Sequence, residues 1–458
     1  MPVKKTTKKA TTTKVTKKGS AAKKAVDNKK AKAYESLRGM KDILPKHEGY
    51  WLDVFHKSES VARAYGYQYM QAPILEQAQL FVRSIGKGTD VVNKEMYIFE
   101  DRDGKKVALR PELTAGIARA YISNGMHNLP QPVKVWYQGP MFRHDRPQAG
   151  RYRQFHQFGC EVLGDRDPVI DAELIAVSYN TIKDLGIDAV VHINSIGSLE
   201  DRQNYLVELV GYFRSKRSYL SDESKKRVSK NPLRILDSKD GQDLEVIQDA
   251  PQIIDWLSQD SKAYFMKVLE YLDELQVPYV LVPTLVRGLD YYTDTVFELF
   301  VDSEDALSAQ SALGGGGRYD GLVEQLGGRL TPAAGFSLGI ERIILAMKDQ
   351  KQKLGDVPAE KKPHIFFAQL GEQGRRRALS LIEQLRKSGV FVGSHLSKNS
   401  LKGQLELANK QHATHTIILG QKEVQDGTVI IRDMDSGIQE IIDQKKLEKK
   451  LKKLLEIV

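Results

Sequence analysis

The sequence from Gly139 to Gly164, GPMFRHDRPQAGRYRQFHQFGCEVLG, decides how the rest of the chain is read. Val133, Val135, Tyr137 and Met141 lead into it with strand-forming residues. The segment from Arg143 to Arg151 holds Pro147 and Gly150, which favour a turn between strands. The return arm alternates Tyr152, Gln154, His156 and Phe158 with Arg153, Phe155, Gln157 and Gly159, and period two sends the two sets to opposite faces of a sheet. The prediction is a strand–loop–strand hairpin that crowds Arg143, Arg146, Arg151 and Arg153 together with little acid. A guanidinium suits phosphate because its planar fork donates two parallel hydrogen bonds. With Phe155, Gln157 and Glu161 interleaved, the hairpin reads as a nucleotide pocket rather than a solvated basic surface.

Composition bounds the alternatives. The 458 residues suffice for two or three domains, and 41% hydrophobic with 28% charged content is ordinary for a soluble protein. No apolar run approaches the roughly 20 residues that span a bilayer. The single cysteine, Cys160, excludes an internal disulfide and a multi-cysteine metal site, and points to a reducing cytoplasm. Net charge is +10, yet residues 1–33 hold twelve lysines against Asp27, which leaves the remainder near neutral. That tail lacks large apolar residues and is expected to be disordered. Two readings of it stand side by side: a solubilising extension, or a non-specific nucleic-acid tether effective at low salt.

Outward from the hairpin, Trp51 to Tyr65 shows helical spacing that ends at Gly66, and Tyr67 to Leu75 reads as a strand with Pro73 near its end. Met96–Phe99 and Val107–Leu109 read as strands joined across Asp101–Gly104, followed by Arg110-Pro111-Glu112-Leu113-Thr114 and a helix from Ala115. Glu112 and Thr114 suit a helix cap. A helix over 167–186 and a strand over 189–194 come next. Residues from about 200 to 275 are charged, helical and without motif. The run Gly314–Gly317 reads either as a tight hairpin or as a place where backbone approaches a ligand closely. At Ala334–Leu345 a strand enters a helix with Arg342 on its first turn, where anions are favoured. Lys348 to Lys362, with Gly355 and Pro358, reads as a linker. Beyond it, strands and helices alternate from His364 to Leu419, then a hairpin and a last helix, which predicts a small α/β domain with a mixed sheet. There is no Walker A sequence, no dinucleotide glycine fingerprint on a strand–helix turn and no zinc spacing.

From Leu37 to Leu455 the chain resembles the bacterial type of the histidyl-tRNA synthetases, a family of class II aminoacyl-tRNA synthetases. FRHDRPQAGRYRQFHQFGCEVLG resembles their motif 2, the helix and strand from Trp51 to Leu75 their motif 1, and Ala334–Leu345 their motif 3. Leu285-Val286-Arg287-Gly288-Leu289-Asp290-Tyr291-Tyr292 and Gly314-Gly315-Gly316-Gly317-Arg318-Tyr319-Asp320-Gly321 resemble the family's two histidine peptides.

The resemblance implies an α/β (α+β) chain. It would hold an antiparallel-sheet catalytic domain over 34–350 with a helical insertion at about 200–275, a linker over 351–362 and an anticodon-binding domain over 363–458. It implies joining histidine to ATP, accompanied by Mg²⁺, and transfer of the histidyl group to the 3′ end of tRNA(His). It implies a cytoplasmic homodimer, formed through motif 1, with no prosthetic group, no metal held by protein side chains and no membrane partner. Arg143 would grip the α-phosphate, Arg151 and Arg342 the β and γ phosphates, and Phe155 would stack on adenine. Glu112, Thr114, Gln157 and Arg287 would surround the amino and carboxylate groups of histidine. Glu161 and Tyr292 would bond the imidazole, with Tyr291 and Tyr319 in the same pocket. Arg287 and Arg143 would act in catalysis, and Arg146 and Gln148 would meet the tRNA acceptor end. A regulatory paralogue of histidine biosynthesis on the same fold is the rival. Such paralogues lack catalytic arginines and a C-terminal domain, both present here.

Overall fold

A computed structural model describes residues 33–302, 312–354 and 364–455. The Lys-rich tail, but for its last residue, and the expected linker from residue 355 onward lie outside the described residues.

Helix α1 (Glu48–Ala64) buries Val54, Ser58, Val61 and Ala62, one face at helical spacing, and stops before Gly66 at φ +81°. The single strand expected over Tyr67–Leu75 is instead two. β1 (Gln68–Tyr69) joins the large sheet and β2 (Leu75–Gln77) a separate small one. Pro73, between them, has no N–H to give to a ladder. After α2 (Ala78–Ile85), β3 (Ile98–Glu100) and β4 (Lys106–Leu109) complete the small sheet in the order β2-β4-β3. Their turn is closed by Asp101, whose Oδ1 accepts the N–H groups of Asp103 and Lys105 at 2.9 and 2.8 Å.

Next come α3 (Thr114–Ser123) and the hairpin itself, β5 (Val133–Phe142) and β6 (Gln154–Leu163). The two strands pair from Val133↔Leu163 to Phe142↔Gln154 without a bulge. Alternation starts at Gln154, not at Tyr152. Arg153 precedes the strand, gives its Nε to the Asp145 carbonyl and packs over Gly39, so it leaves the face that holds Phe155 and Gln157.

The chain continues through α4 (Pro168–Asp184), β7 (Ala189–Ser195), the helices α5 (Leu199–Ser215), α6 (Asp222–Arg227), α7 (Gly241–Gln248) and α8 (Gln259–Glu274), and β8 (Tyr279–Leu281). β9 (Thr293–Val301), β10 (Ala312–Arg318), α9 (Leu322–Gln325), β11 (Ala333–Gly339) and α10 (Ile340–Leu354) follow. Residues Lys348–Leu354, expected in the linker region, continue α10.

Eight strands form one sheet in the order β1-β5-β6-β11-β10-β9-β7-β8, antiparallel except for the parallel pairs at its two edges. Each face carries its own apolar cluster. Trp136, Phe158 and Phe336 pack with α1, α4 and α8 on one side. Val135, Tyr137 and Val296 pack with α3 and with Tyr205, Leu209 and Phe213 of α5 on the other. The helical stretch after residue 199 therefore divides. α5 and α7 cover the second face, while α8 returns to the first through Phe265, Val268, Leu269 and Leu272. The glycine run is not a turn. It is β10, a central strand between β9 and β11.

The C-terminal strands are β12 (Ile365–Gln369), β13 (Gly393–Ser394), β14 (His415–Leu419), β15 (Thr428–Asp433) and β16 (Gln439–Asp443), ordered β13-β12-β14-β15-β16. The first three are parallel and the rest antiparallel, the mixed sheet expected. Around it lie α11 (Gly371–Lys387), α12 (Leu401–Lys410), α13 (Gln421–Asp426) and α14 (Leu447–Leu454). α13 was not legible in the sequence.

Candidate active site

A cavity of about 480 Å³ opens on the sheet face that carries α3. Several separated stretches converge on it. The hairpin brings Arg143, Arg151, Phe155 and Gln157; the segment before α3 brings Glu112, and the first residue of α3 is Thr114; the loop before β9 brings Arg287, Tyr291 and Tyr292; and α10 brings Arg342.

At one end the arginines are tethered by main-chain oxygens. Arg143 gives its Nε to the Pro111 carbonyl at 2.8 Å and lies over the Phe155 ring at 5.4 Å. Arg342 gives Nε to the Gly150 carbonyl at 3.2 Å and Nη1 to the Ala312 carbonyl at 2.7 Å. Burial and the neighbouring Arg151 and Arg143 all favour the neutral form of Arg342, so its pKa falls below the ordinary value. Arg151 meets one carboxylate, Asp145, at 3.6 Å. Glu95, on the same lining, acts on Arg143 and Arg151 too, but burial shifts it toward its neutral form, so three arginines exceed the carboxylate charge beside them.

At the other end Glu161 is fully buried. Its oxygens accept from the hydroxyls of Thr114 at 2.7 Å, Tyr137 at 3.2 Å and Tyr319 at 2.5 Å. Burial pushes its carboxyl up to about 8, against the pull of those donors. A Cβ at Gly335 would collide with this carboxylate, so the strand across from it has to carry glycine there. Arg287 pairs with Glu298 of β9, and that carboxylate holds the guanidinium charged despite burial. A Cβ on Gly315 would strike the Phe297 carbonyl and press on Arg287, so the glycine strand leaves room for the guanidinium to lie over the sheet. Glu112 is buried, its carboxyl raised by burial, and its Oε1 accepts the Ala115 N–H at 3.1 Å. It caps α3 while facing the cavity.

Two buried side-chain atoms here lack a partner among the described residues: the Nε donor of Arg287 and the Oε1 acceptor of Gln157. Gln157 gives its Nε2 to Ser337 Oγ at 3.1 Å, which fixes which way its oxygen points. An unsatisfied donor and acceptor lining one cavity suit a ligand bearing both a carboxylate and an ammonium group.

Of the residues singled out by sequence, Glu161 and Tyr319 stand behind the cavity wall rather than on it, joined to it through Thr114 and Tyr137. Arg146 and Gln148 lie exposed at the hairpin tip, outside the cavity. Sequence reasoning passed over Tyr137, Glu298, Glu341, Arg234 and Asp237, all on the lining. Tyr137 was read only as a strand-forming residue of the lead-in, and no polar position was followed along the strand that carries Glu298. Glu341 ties α10 to the hairpin by accepting the His156 N–H and meeting its Nδ1 at 2.9 Å. Arg234 and Asp237 come from the helical stretch that carried no motif.

An antiparallel sheet that presents arginines to a polar cavity, with no phosphate-binding glycine loop, is the catalytic fold of the class II aminoacyl-tRNA synthetases. Residues 39–343 match the family model for histidyl-tRNA synthetase, and residues 364–454 match the anticodon binding domain. The chain belongs to the histidyl-tRNA synthetase family. It is 42% identical to a histidine–tRNA ligase of Natranaerobius thermophilus over 91% of this chain and 98% of that one. It is 44% identical to a histidine–tRNA ligase of Dehalococcoides mccartyi, over 92% and 99% respectively. The crystal structure of apo histidyl-tRNA synthetase of S. aureus superposes with a TM-score of 0.75 at 33% identity, covering 92% of this chain and all of that one.

Proposed function

We propose that the cavity performs both steps of histidine–tRNA ligation, with its two ends dividing the substrates. The activity itself follows from the family: the chain is an ATP-dependent ligase that joins histidine to tRNA. The assignment of residues is ours, and the orphaned Arg287 Nε and Gln157 Oε1 carry it.

ATP, with Mg²⁺ as part of the substrate, lies at the arginine-rich end. Arg143 holds the α-phosphate, Arg151 and Arg342 the β and γ phosphates, and the Phe155 ring meets adenine. Histidine lies at the other end. Gln157 Oε1, Glu112 and Thr114 receive its ammonium group, and Arg287 Nε donates to its carboxylate. That carboxylate attacks the α-phosphorus, the bond to the β-phosphate oxygen breaks, and histidyl-adenylate and pyrophosphate result. Negative charge spreading over the α-phosphate meets Arg143 and Arg287, cations already fixed in place. In the second step a terminal ribose hydroxyl of the tRNA attacks the acyl carbon and AMP leaves.

Glu161 with Tyr292 selects the imidazole, Tyr291 and Tyr319 shaping the slot. The three hydroxyls bonded to Glu161 mark the acceptor capacity that the ring takes over when one of them turns away. A site built to hydrogen-bond rejects analogues that leave its groups unpaired. Arg146 and Gln148 approach the acceptor end.

The domain limits are those of the sequence reading: catalysis over 34–350, insertion at about 200–275 and anticodon binding over 363–458. A second copy of the chain covers the exposed apolar residues Leu75, Ile98 and Phe99 of the small sheet, and the assembly works in the cytoplasm. A monomeric mass in solution would remove the dimer. Pyrophosphate exchange assayed with each amino acid tests the pocket. Exchange with histidine alone is expected, and exchange with another amino acid at comparable rate sinks the imidazole assignment.

A further inference from the structure

The loop that carries Arg287, Tyr291 and Tyr292 is a partition. On one side lies the main cavity. On the other lies a second cavity of about 280 Å³ between the loop and the helical stretch after β7, and Val286, Arg287, Leu289 and Tyr292 line both. Val286, Tyr291 and Tyr292 of this wall pack into the apolar cluster on the α3 face, so its side chains are held while the second cavity runs along its main chain. Few side chains hold its main chain. Asn194 Nδ2 donates to the Pro283 and Leu285 carbonyls at its start, at 3.1 and 3.0 Å. The Asp290 N–H donates to the Ile85 carbonyl at 3.2 Å. At its end, Arg202 Nη1 donates to the Tyr292 carbonyl at 2.9 Å.

Arg202 belongs to α5, and the start of that helix is anchored firmly. Ser198 and Asp201 form a reciprocal cap, and Asp201 also accepts the Ser258 N–H at 2.9 Å and the Ser261 hydroxyl at 2.6 Å. Arg202, on the lining of the second cavity, therefore links a fixed base to the Tyr292 carbonyl. Burial lowers its pKa, and Asp290, on the loop itself, is the acid that opposes this. A cation kept there at a desolvation cost, bonded to the residue that ends the histidine peptide, does more than fill space.

We propose that Arg202 is a positioning residue that sets the register of the Arg287–Tyr292 loop and thereby the fit of histidine. This rests on the assignment of that loop to the amino acid. It gives the helical stretch a task in amino-acid selection, since any movement of α5 is transmitted to Tyr292.

The test compares Arg202→Met, Arg202→Lys and Arg287→Ala by pyrophosphate exchange, with KM for histidine and for ATP determined separately and thermal unfolding followed on each protein. Arg202→Met is expected to raise the histidine KM about tenfold, by misplacing contacts it does not itself make, with the ATP KM and melting temperature unchanged. Arg202→Lys, which keeps a donor and the charge but loses the fork, should recover part of the loss. An unchanged histidine KM in Arg202→Met overturns the proposal. So does a parallel rise in both KM values with a lowered melting temperature, which would make Arg202 a structural strut only. Arg287→Ala separates the two levels. If it too leaves histidine exchange intact, the assignment of the loop fails. If it is impaired while Arg202→Met is not, only the inference about Arg202 fails.

Discussion

The two ends of the central cavity hold their charges by opposite means. At the arginine-rich end, Arg143 and Arg342 are fixed by main-chain carbonyls, which accept hydrogen bonds without cancelling charge. At the far end, Arg287 faces Glu298, and Glu161 faces three hydroxyls. The first arrangement keeps net positive charge in reserve and suits any polyphosphate. The second leaves little net charge but aims individual atoms, and so discriminates by hydrogen bonding. On the proposed assignment, affinity for a nucleotide and selection of an amino acid rest on separate physical devices, one built from the hairpin and α10, the other from β6, the 287–292 loop and β9.

The largest effect that would sharpen this contrast is at Arg287. On the proposed assignment, removing it takes away a cation aimed at the reacting centre, and it leaves Glu298 unpaired inside the site. By analogy with loss of an oxyanion donor, Arg287→Ala should slow adenylate formation by roughly 10²–10³, about 3–4 kcal/mol. The fold and tRNA affinity should persist. Single-turnover pyrophosphate release, beside a tRNA titration on the same protein, reads both. A slowing of less than about tenfold would reduce Arg287 to a residue that orients substrate.

Much of this site was legible because its chemistry follows the sequence period. Val135, Tyr137, Phe155 and Gln157 fall on one face because the hairpin strands alternate without a bulge. The illegible parts depend on contacts distant in sequence. Nothing local shows that Gly314–Gly317 is a central strand, since glycine disfavours strands; the collisions that require it come from β9 and β11. Pro73 was seen, but not that the chain on its two sides joins different sheets. α10 runs to Leu354 through a segment whose charge suggested a linker. Arg202 and Arg234 had no motif, and their relation to the 287–292 loop exists only after folding.

An intermediate effect is expected at Glu161, with a signature in pH. Its carboxyl sits near 8 in the folded chain against an ordinary 4.5. Between those values the folded protein holds a proton that the unfolded chain has released, so stability falls as pH rises through the window. Glu161→Gln keeps the shape and cannot titrate. Its stability, compared with the parent, should gain as pH rises from 4.5 to 8, by up to about 4–5 kcal/mol, measured from urea midpoints across pH. Glu112, also raised by burial, remains in both proteins and largely cancels from the difference. Histidine KM should rise about tenfold with ATP binding little changed. Parallel pH curves for the two proteins would mean that Glu161 is already charged in the fold, and the contrast between the two ends would lose its basis.

The smallest effect lies outside both ends, at Arg146. The hairpin tip keeps its shape through main-chain bonds, Gln148 N–H to the Arg151 carbonyl at 3.1 Å and Arg151 N–H to the Gln148 carbonyl at 2.9 Å. Arg146 itself is exposed, and no ion pair to it occurs among the described residues. Its side chain can therefore be removed without disturbing Arg151 or the phosphate end. A charge that contacts a nucleic-acid backbone contributes through counterion release, so its loss lowers affinity and flattens the salt dependence together. Arg146→Ala should weaken tRNA binding by roughly threefold to tenfold and reduce the slope of log affinity against log salt by about one. Adenylate formation should be unaffected. The decisive measurement is a set of tRNA titrations at several salt concentrations. An unchanged slope would place the acceptor end away from the hairpin tip, and a fall in adenylate formation would show that the tip and the phosphate end are not independent.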